Sequence, residues 1–180
     1  MIMKQNYADV ENIIQLSKSL GTTHRIGMNL INKNNGDNSP SQLFLDDEGK
    51  IKEVLRVAEN HLFSMDIPVV QGKNISGSIC GAGTTSLTIS PDGTVYPCVS
   101  LKTPLGSVIE SSVQDIWNGE IRASLVKSLV WENTVECKTC EVADNCPHCV
   151  GISQAENGSP FTCNHCDRMV AEAISELDSE

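Results

Sequence analysis

Near the start of the chain the apolar positions recur at helical intervals. Val10, Ile13, Ile14 and Leu20 fall on one face between Tyr7 and Leu20, because spacings of three and four residues put side chains on one stripe of a helix. Gly21 stands where that helix would stop, at the position that favours left-handed backbone. A short strand is expected next, from Thr22 to Ile31, and then a polar, turn-rich loop, Asn32-Lys-Asn-Asn-Gly-Asp-Asn-Ser-Pro40. Ile51, Val54, Leu55, Ala58 and Leu62 return to helical spacing and predict a second helix over 47–64. Helix, strand, loop and helix in that order read as a fragment of an α/β pattern, far short of the ~250 residues of an eight-unit barrel.

The pattern changes near Gln71. Gly72, Gly77, Gly81 and Gly83 gather around Cys80, and the β-prone runs Leu87–Ser90 and Thr94–Tyr96 are joined by Pro91-Asp92-Gly93. Proline presets φ for a turn and glycine supplies a positive one, so a hairpin is expected, its second strand running into Pro97-Cys98. Ser112-Val-Gln-Asp115 is a helix start with an acid at the third position. It predicts a short helix through Trp117, followed by another from Glu120 to Val130. Residues 136–166 read as loop, and a last helix runs from Asp167 to Leu177. Two domains result: residues 1–70 as the α/β fragment, and residues 71–180 as a small cysteine-rich domain with a hairpin and short helices. The fold class is α+β.

Composition sharpens this picture. Apolar residues make up 39% of the chain but aromatics only 4%, a thin supply of large core side chains. Small domains short of core recruit disulfides or metals as cross-links, and this chain has eight cysteines. A net charge of −10 argues against nucleic acid and anionic membrane as partners, since both need a basic surface. No apolar stretch of signal-peptide length follows Met1, and no segment approaches the ~20 apolar residues of a membrane span. A cytoplasmic location is therefore expected, where thiols stay reduced. Reduced cysteines in this number read as metal ligands before disulfides.

The cysteines stand at 80, 98, 137, 140, 146, 149, 163 and 166. Their pattern is C-x12-G-x4-C, a gap, C-x2-C-x5-C-x2-C, a gap, and C-x2-C. Two-residue spacers let consecutive thiolates converge on one centre, because the turn between them brings both sulfurs to one side. Eight thiolates suffice for two four-ligand centres. On spacing alone structural zinc is the commonest outcome, and iron–sulfur clusters use the same ligands.

The intervening residues favour iron–sulfur. Cys80-Gly-Ala-Gly83, the hairpin segment Ser90-Pro-Asp-Gly-Thr-Val-Tyr-Pro-Cys98, Leu105-Gly-Ser-Val108, Asp115-Ile-Trp-Asn118 and Cys137-Lys-Thr-Cys140 occur in that order. Together they resemble the SPASM domain that follows the barrel in radical SAM enzymes modifying peptides and proteins. The likeness spans roughly residues 75 to 175. It implies two auxiliary [4Fe–4S] clusters. Carried over by position, Cys80, Cys98 and Cys149 match ligands of the first, with its fourth ligand open. Cys137, Cys140, Cys146 and Cys163 match the second, with Cys166 as the other choice for its last ligand. Two departures from the family pattern stand out. Cys146-Pro-His-Cys149 has a two-residue spacer where the family has three, and Thr84, Thr85 and Ser86 stand where it places a further first-cluster ligand.

By the same resemblance, residues 1–70 look like a remnant of a radical SAM barrel. The chain has no C-x3-C-x2-C trio to hold a SAM-cleaving cluster and no Gly-Gly-Glu segment. It is not expected to cleave SAM alone, so SAM enters only if the chain is joined to a further domain or served by a radical SAM partner protein. A peptide or protein is the implied substrate. The alternative is a standalone metal-binding adaptor, with zinc or iron–sulfur as a staple and no activity of its own. His148 and His165 lie inside C-x2-C pairs and read as spacers before ligands. His61 reads as a surface residue and His24 as an ordinary strand position. Trp117 and Trp131 read as packing against the cluster loops, and Asp92, Asp144 and Asp167 as turn or cap residues.

Overall fold

A computed structural model describes residues 1–24, 26–33, 35–58 and 77–179. Its helices are α1 (Val10–Ser19), α2 (Glu48–Ala58), α3 (Val113–Asn118), α4 (Glu120–Ser128), α5 (Val150–Asn157) and α6 (His165–Leu177). The strands are β1 (Thr88–Ile89), β2 (Thr94–Tyr96) and β3 (Gly106–Ser107), an antiparallel sheet in sequence order. Helices with one small antiparallel sheet fit the expected α+β class. The chain divides into two units: Met1–Asn74 with Cys140–His148 and Cys163–Glu180, and Ile75–Thr139 with Cys149–Thr162. We call these the helical unit and the hairpin unit.

In the helical unit, α1 ends as its residues foretell, with Gly21 at φ +63° and its N–H donating to Lys18 O at 3.1 Å. Val10 and Ile14 are buried while Ile13 is 41% exposed, so the inward stripe is narrower than the apolar pattern. α2 buries Ile51, Val54, Leu55 and Ala58 and packs against α1 and α6. Lys52 bridges Glu48, at 2.9 Å, and Glu176, and Lys4 pairs with Asp46 at 2.8 Å.

The strand expected from Thr22 to Ile31 does not form. Among its described residues there is an isolated bridge at Ile26. Ile26 and Met28 point inward, 4% and 3% exposed, so the alternation of a strand is present. Among its described residues the ladder is lacking, and Gly27 O takes its bond from Ile2 N–H, at 2.8 Å. A barrel remnant is therefore not shown. The end of the expected second helix, with Leu62 and His61, and the change of pattern at Gln71 and Gly72 lie outside the described residues.

In the hairpin unit, Gly93 turns at φ +85° and donates to Ser90 O at 2.9 Å. Asp92 Oδ1 accepts from the Thr94 N–H at 3.1 Å, which fixes the register Thr88 to Tyr96 and Ile89 to Val95. The third strand was not foreseen. Gly106 and Ser107 pair with Val95 and Thr94, and Val95, Leu105 and Ile116 close a small apolar core behind the sheet. Ser112 caps α3, accepting from Asp115 N–H at 3.1 Å and donating to its carboxylate at 2.6 Å. α4 stops at Ser128, short of the expected Val130, because the chain beyond it pairs instead: Leu129 O accepts from Ile79 N–H at 3.0 Å and Gly77 O from Trp131 N–H at 2.9 Å.

Two corrections concern the region read as loop. α5 lies inside it. A Cβ on Gly151 would meet the Ser100 carbonyl carbon at 2.5 Å and Leu101 N at 2.7 Å, so this helix is set by a backbone approach that glycine alone permits. It ends at Gly158, φ +74°. α6 begins at His165, before Asp167, because Asn164 caps it through Asp167 N–H at 2.8 Å.

Candidate metal centre

Cys80, Cys98, Cys137 and Cys149 belong to the hairpin unit. Cys80 leaves the strand-like pairing at Ile79 and enters a turn that Gly83 closes. Gly83 sits at φ +71° and donates to Pro97 O at 2.9 Å, while Ser86 Oγ reaches the same carbonyl at 3.2 Å. The loop after Cys80 is thereby tied to the residue before Cys98. Arg122 holds it from the other side. Its Nη1 donates to Gly83 O at 2.8 Å, its Nε bonds Trp117 O, and its guanidinium lies over the Trp117 ring, 4.7 Å from the centroid. The tryptophan of Asp115-Ile-Trp-Asn118 thus serves as the plate on which this arginine rests.

Cys98 Sγ accepts from Leu101 N–H at 3.2 Å, a bond that orients the sulfur. Cys80 is exposed by surface area, yet the protein massed around it desolvates its thiol and raises its pKa. The Ala82 backbone N–H opposes that rise and nearby Cys98 adds to it. Cys149 is the cap residue of α5. Cys137 lies in a single turn of 3₁₀ helix, Glu136–Thr139, and is buried among Ile79, Ala82, Leu101, Leu129, Trp131 and Val150, with Cys98 packed against that group.

Cys140, Cys146, Cys163 and Cys166 belong to the helical unit. The 3₁₀ turn Ala143–Asn145 between the first two packs on α6, and Asn145 Nδ2 donates to Asp178 at 3.3 Å. Cys163 precedes α6 and Cys166 lies in its first turn. Beside them Asn164 and Asp167, each 1% exposed, bond side chain to side chain at 2.6 Å, and Asn29 Nδ2 joins Asp167 at 3.3 Å. Cys166 is 3% exposed and packs in the unit's core with Val170 and Ala173. Arg168 is held first by Glu172 Oε1 at 2.8 Å, and the charges of Cys163 and Cys140 further favour its cation.

The remaining candidates take structural places. His24 Nδ1 is 3.1 Å from Ser17 Oγ, His148 is buried, and His165 meets Phe44 edge to face at 5.9 Å. Trp131 is core. Asp92 holds the hairpin turn, Asp144 lies in the 3₁₀ turn and Asp167 is bound by the cap. Arg122 was not singled out from sequence. The signal available was a basic residue five positions past Trp117, in an acid-rich chain.

Among the described residues, no three His, Cys, Asp or Glu side chains converge closely enough for one metal ion. A cluster has a width of its own and spaces its ligands, so the donor set decides the fit. All eight cysteines are thiols, four in each unit, and four cysteine thiolates are the usual ligation of a [4Fe–4S] cluster. The residues present fit that group.

Residues 80–149 match the family model of SPASM, an iron–sulfur cluster-binding domain. The resemblance read from the sequence is thereby shown. The SPASM match begins at the first cysteine and ends at the sixth, taking in the hairpin, α3 and α4, and it implies iron–sulfur cluster binding. A comparison with curated proteins found no match. No helix among the described residues is long and apolar enough to cross a membrane.

Proposed function

We propose that this chain holds two auxiliary [4Fe–4S] clusters on its eight cysteines. It serves electron transfer and substrate positioning in radical SAM-dependent modification of a ribosomally made peptide or protein. The observation that carries the reading is the set of eight thiols, four to a unit, over and just beyond a SPASM match. When bound, such clusters supply one-electron redox chemistry at a potential tuned by ligation, hydrogen bonds to sulfur and burial. The chain's own residues supply those levers. Leu101 N–H bonds the Cys98 sulfur, and the Arg122 clasp fixes the turn after Cys80. The trio that would hold a SAM-cleaving cluster is absent from the sequence, so the radical comes from a joined domain or a partner protein in the cytoplasm. The acidic surface, net −10, suits a substrate segment with basic residues.

Anaerobic reconstitution with iron and sulfide tests this. Brown protein with about eight irons per chain, the content of two four-iron clusters, is expected. Colourless protein that takes up zinc instead would sink it. Incubation with SAM and reductant should give no 5′-deoxyadenosine from this chain alone.

A further inference from the structure

The helical unit buries a carboxylate beside two of its cysteines. Asp167 is 1% exposed. It lies in the first turn of α6 and directly follows Cys166. Its Oδ1 accepts from Asn29 Nδ2 at 3.3 Å and its Oδ2 from Asn164 Nδ2 at 2.6 Å. Amide nitrogens only donate, so both oxygens are accepting and the group is held as the anion. The start of a helix favours that charge further. Asn164, itself 1% exposed, caps α6 by accepting from the Asp167 N–H at 2.8 Å.

A helix start does not need a buried acid. α3 is capped in the same way, with Ser112 accepting from the Asp115 N–H at 3.1 Å and bonding its carboxylate at 2.6 Å. There the acid is exposed. The two caps share their bonds and their spacing, yet one carboxylate is solvated and the other is out of water, where an ionised group is costly to hold. What sets the buried cap apart is its place. It carries Cys163 and Cys166, the two choices for the last ligand of the second cluster.

From this contrast we infer that Asp167 tunes the reduction potential of the cluster that takes Cys163 or Cys166, with Asn29 and Asn164 as the residues that position its charge. The inference rests on the proposed cluster reading. The potential of an iron–sulfur cluster depends on the net charge and the burial of its site. A fixed anion acts more strongly where water is excluded. The carboxylate therefore holds that cluster at a lower potential than its thiolates alone would set. The amides of Asn29 and Asn164 aim their N–H dipoles at the charge and soften its effect.

The test is a redox titration of the full chain, reconstituted anaerobically and followed by electron paramagnetic resonance. The signal that the double variant Cys163→Ala/Cys166→Ala loses marks the cluster in question, and a double variant that keeps both signals would overturn the inference. Asp167→Asn removes the charge and keeps the shape. It is expected to move the marked cluster to a higher potential, with wild-type iron content and the other cluster unchanged. Asn29→Ala keeps the charge and withdraws one amide, so a smaller shift to lower potential is expected. Opposite signs separate a tuning charge from a cap that only orders the backbone, which would shift both variants alike or neither. An unchanged potential in Asp167→Asn at full iron, or both clusters moving together, would also sink the inference. Where Asp167→Asn loses its iron or its fold by circular dichroism, Asn29→Ala decides alone: a shift to lower potential supports the inference and any other result overturns it. Wild-type protein that takes up no iron would instead sink the cluster reading itself, an outcome distinct from clusters of unaltered potential.

Discussion

The two units are held together by different means. The helical unit gathers Val10, Ile14, Phe44, Ile51, Val54, Leu55, Val170 and Ala173 into a continuous core between α1, α2 and α6. The hairpin unit divides its buried apolar residues between a group around Leu101 and Trp131 and a smaller one around Val95. Its strands are two or three residues long, too short to stand without support. Burial at ~25 cal/mol per Å² favours the unit with the larger core. What the hairpin unit lacks in core it makes up with backbone clasps around Cys80 and Cys98. Units short of core are the ones that gain most from a metal cross-link, and four of the eight cysteines lie in this one.

The largest expected effect comes from removing iron. Both tryptophans, Trp117 and Trp131, lie in the hairpin unit, so tryptophan emission reports that unit alone. Chelation under reducing conditions should shift the emission strongly to the red, while far-ultraviolet circular dichroism keeps most of its helical signal. Equal loss of both signals would mean that the helical unit depends on metal as much as its neighbour does.

Next come core changes, one in each unit. Leu101→Ala and Ile51→Ala, both at fully buried sites, should each cost about 2–5 kcal/mol in denaturant unfolding. With iron bound, Leu101→Ala should in addition speed iron release to a chelator, and Ile51→Ala should not. Gly151→Ala should cost about 1–3 kcal/mol by overpacking, since its new methyl would press on Ser100 and Leu101. Slower cluster assembly is expected with it, read from the growth of visible absorption.

A smaller effect is expected for Arg122→Gln, about 1–3 kcal/mol from unmet carbonyls at Gly83 and Trp117 and the lost ring contact. Its mark is a changed reduction potential for the cluster on Cys80 and Cys98 with the other unchanged. The smallest effect is electrostatic and belongs to the helical unit. Lys4 beside Asp46 holds that carboxyl below its usual value. A depressed carboxylate adds stability above its unfolded pKa and loses it as pH falls through the folded one. The exposed pair is screened by solvent and salt, so Asp46→Asn should slightly flatten the acid limb of the stability profile and leave it unchanged at high salt.

How much of this was legible follows from what each signal depends on. The end of α1 at Gly21, the Pro91-Asp92-Gly93 turn and the Ser112–Asp115 cap are local chemistry, and the sequence showed them. The strand over 22–31 did not form although Ile26 and Met28 alternate inward, because a strand needs a partner and residue pattern does not supply one. α5 was hidden for the opposite reason. Val150-Gly-Ile-Ser-Gln-Ala-Glu-Asn157 has a glycine and a serine in its first turns, and its fold depends on Gly151 meeting Ser100, a contact across fifty residues of chain. β3 is two residues long and has no period to read. Among the cysteines, number and spacing were plain. Their surroundings were not, since Cys137 is buried among Ile79, Leu101 and Val150, of which its spacing to Cys140 says nothing.

The order in which the chain visits its two units has a further consequence, in time and not in space. The helical unit is begun before the hairpin unit, yet it takes in Cys140–His148 and then Cys163–Glu180, with α5 of the hairpin unit made between those visits. On the ribosome, where residues emerge at roughly 5–20 per second, α1 and α2 must wait several seconds for α6 to cover them. Long-range closure of this kind also slows folding. The unit begun first is therefore completed last, and its apolar faces on α1 and α2 stay open to a chaperone until the final cysteines have appeared.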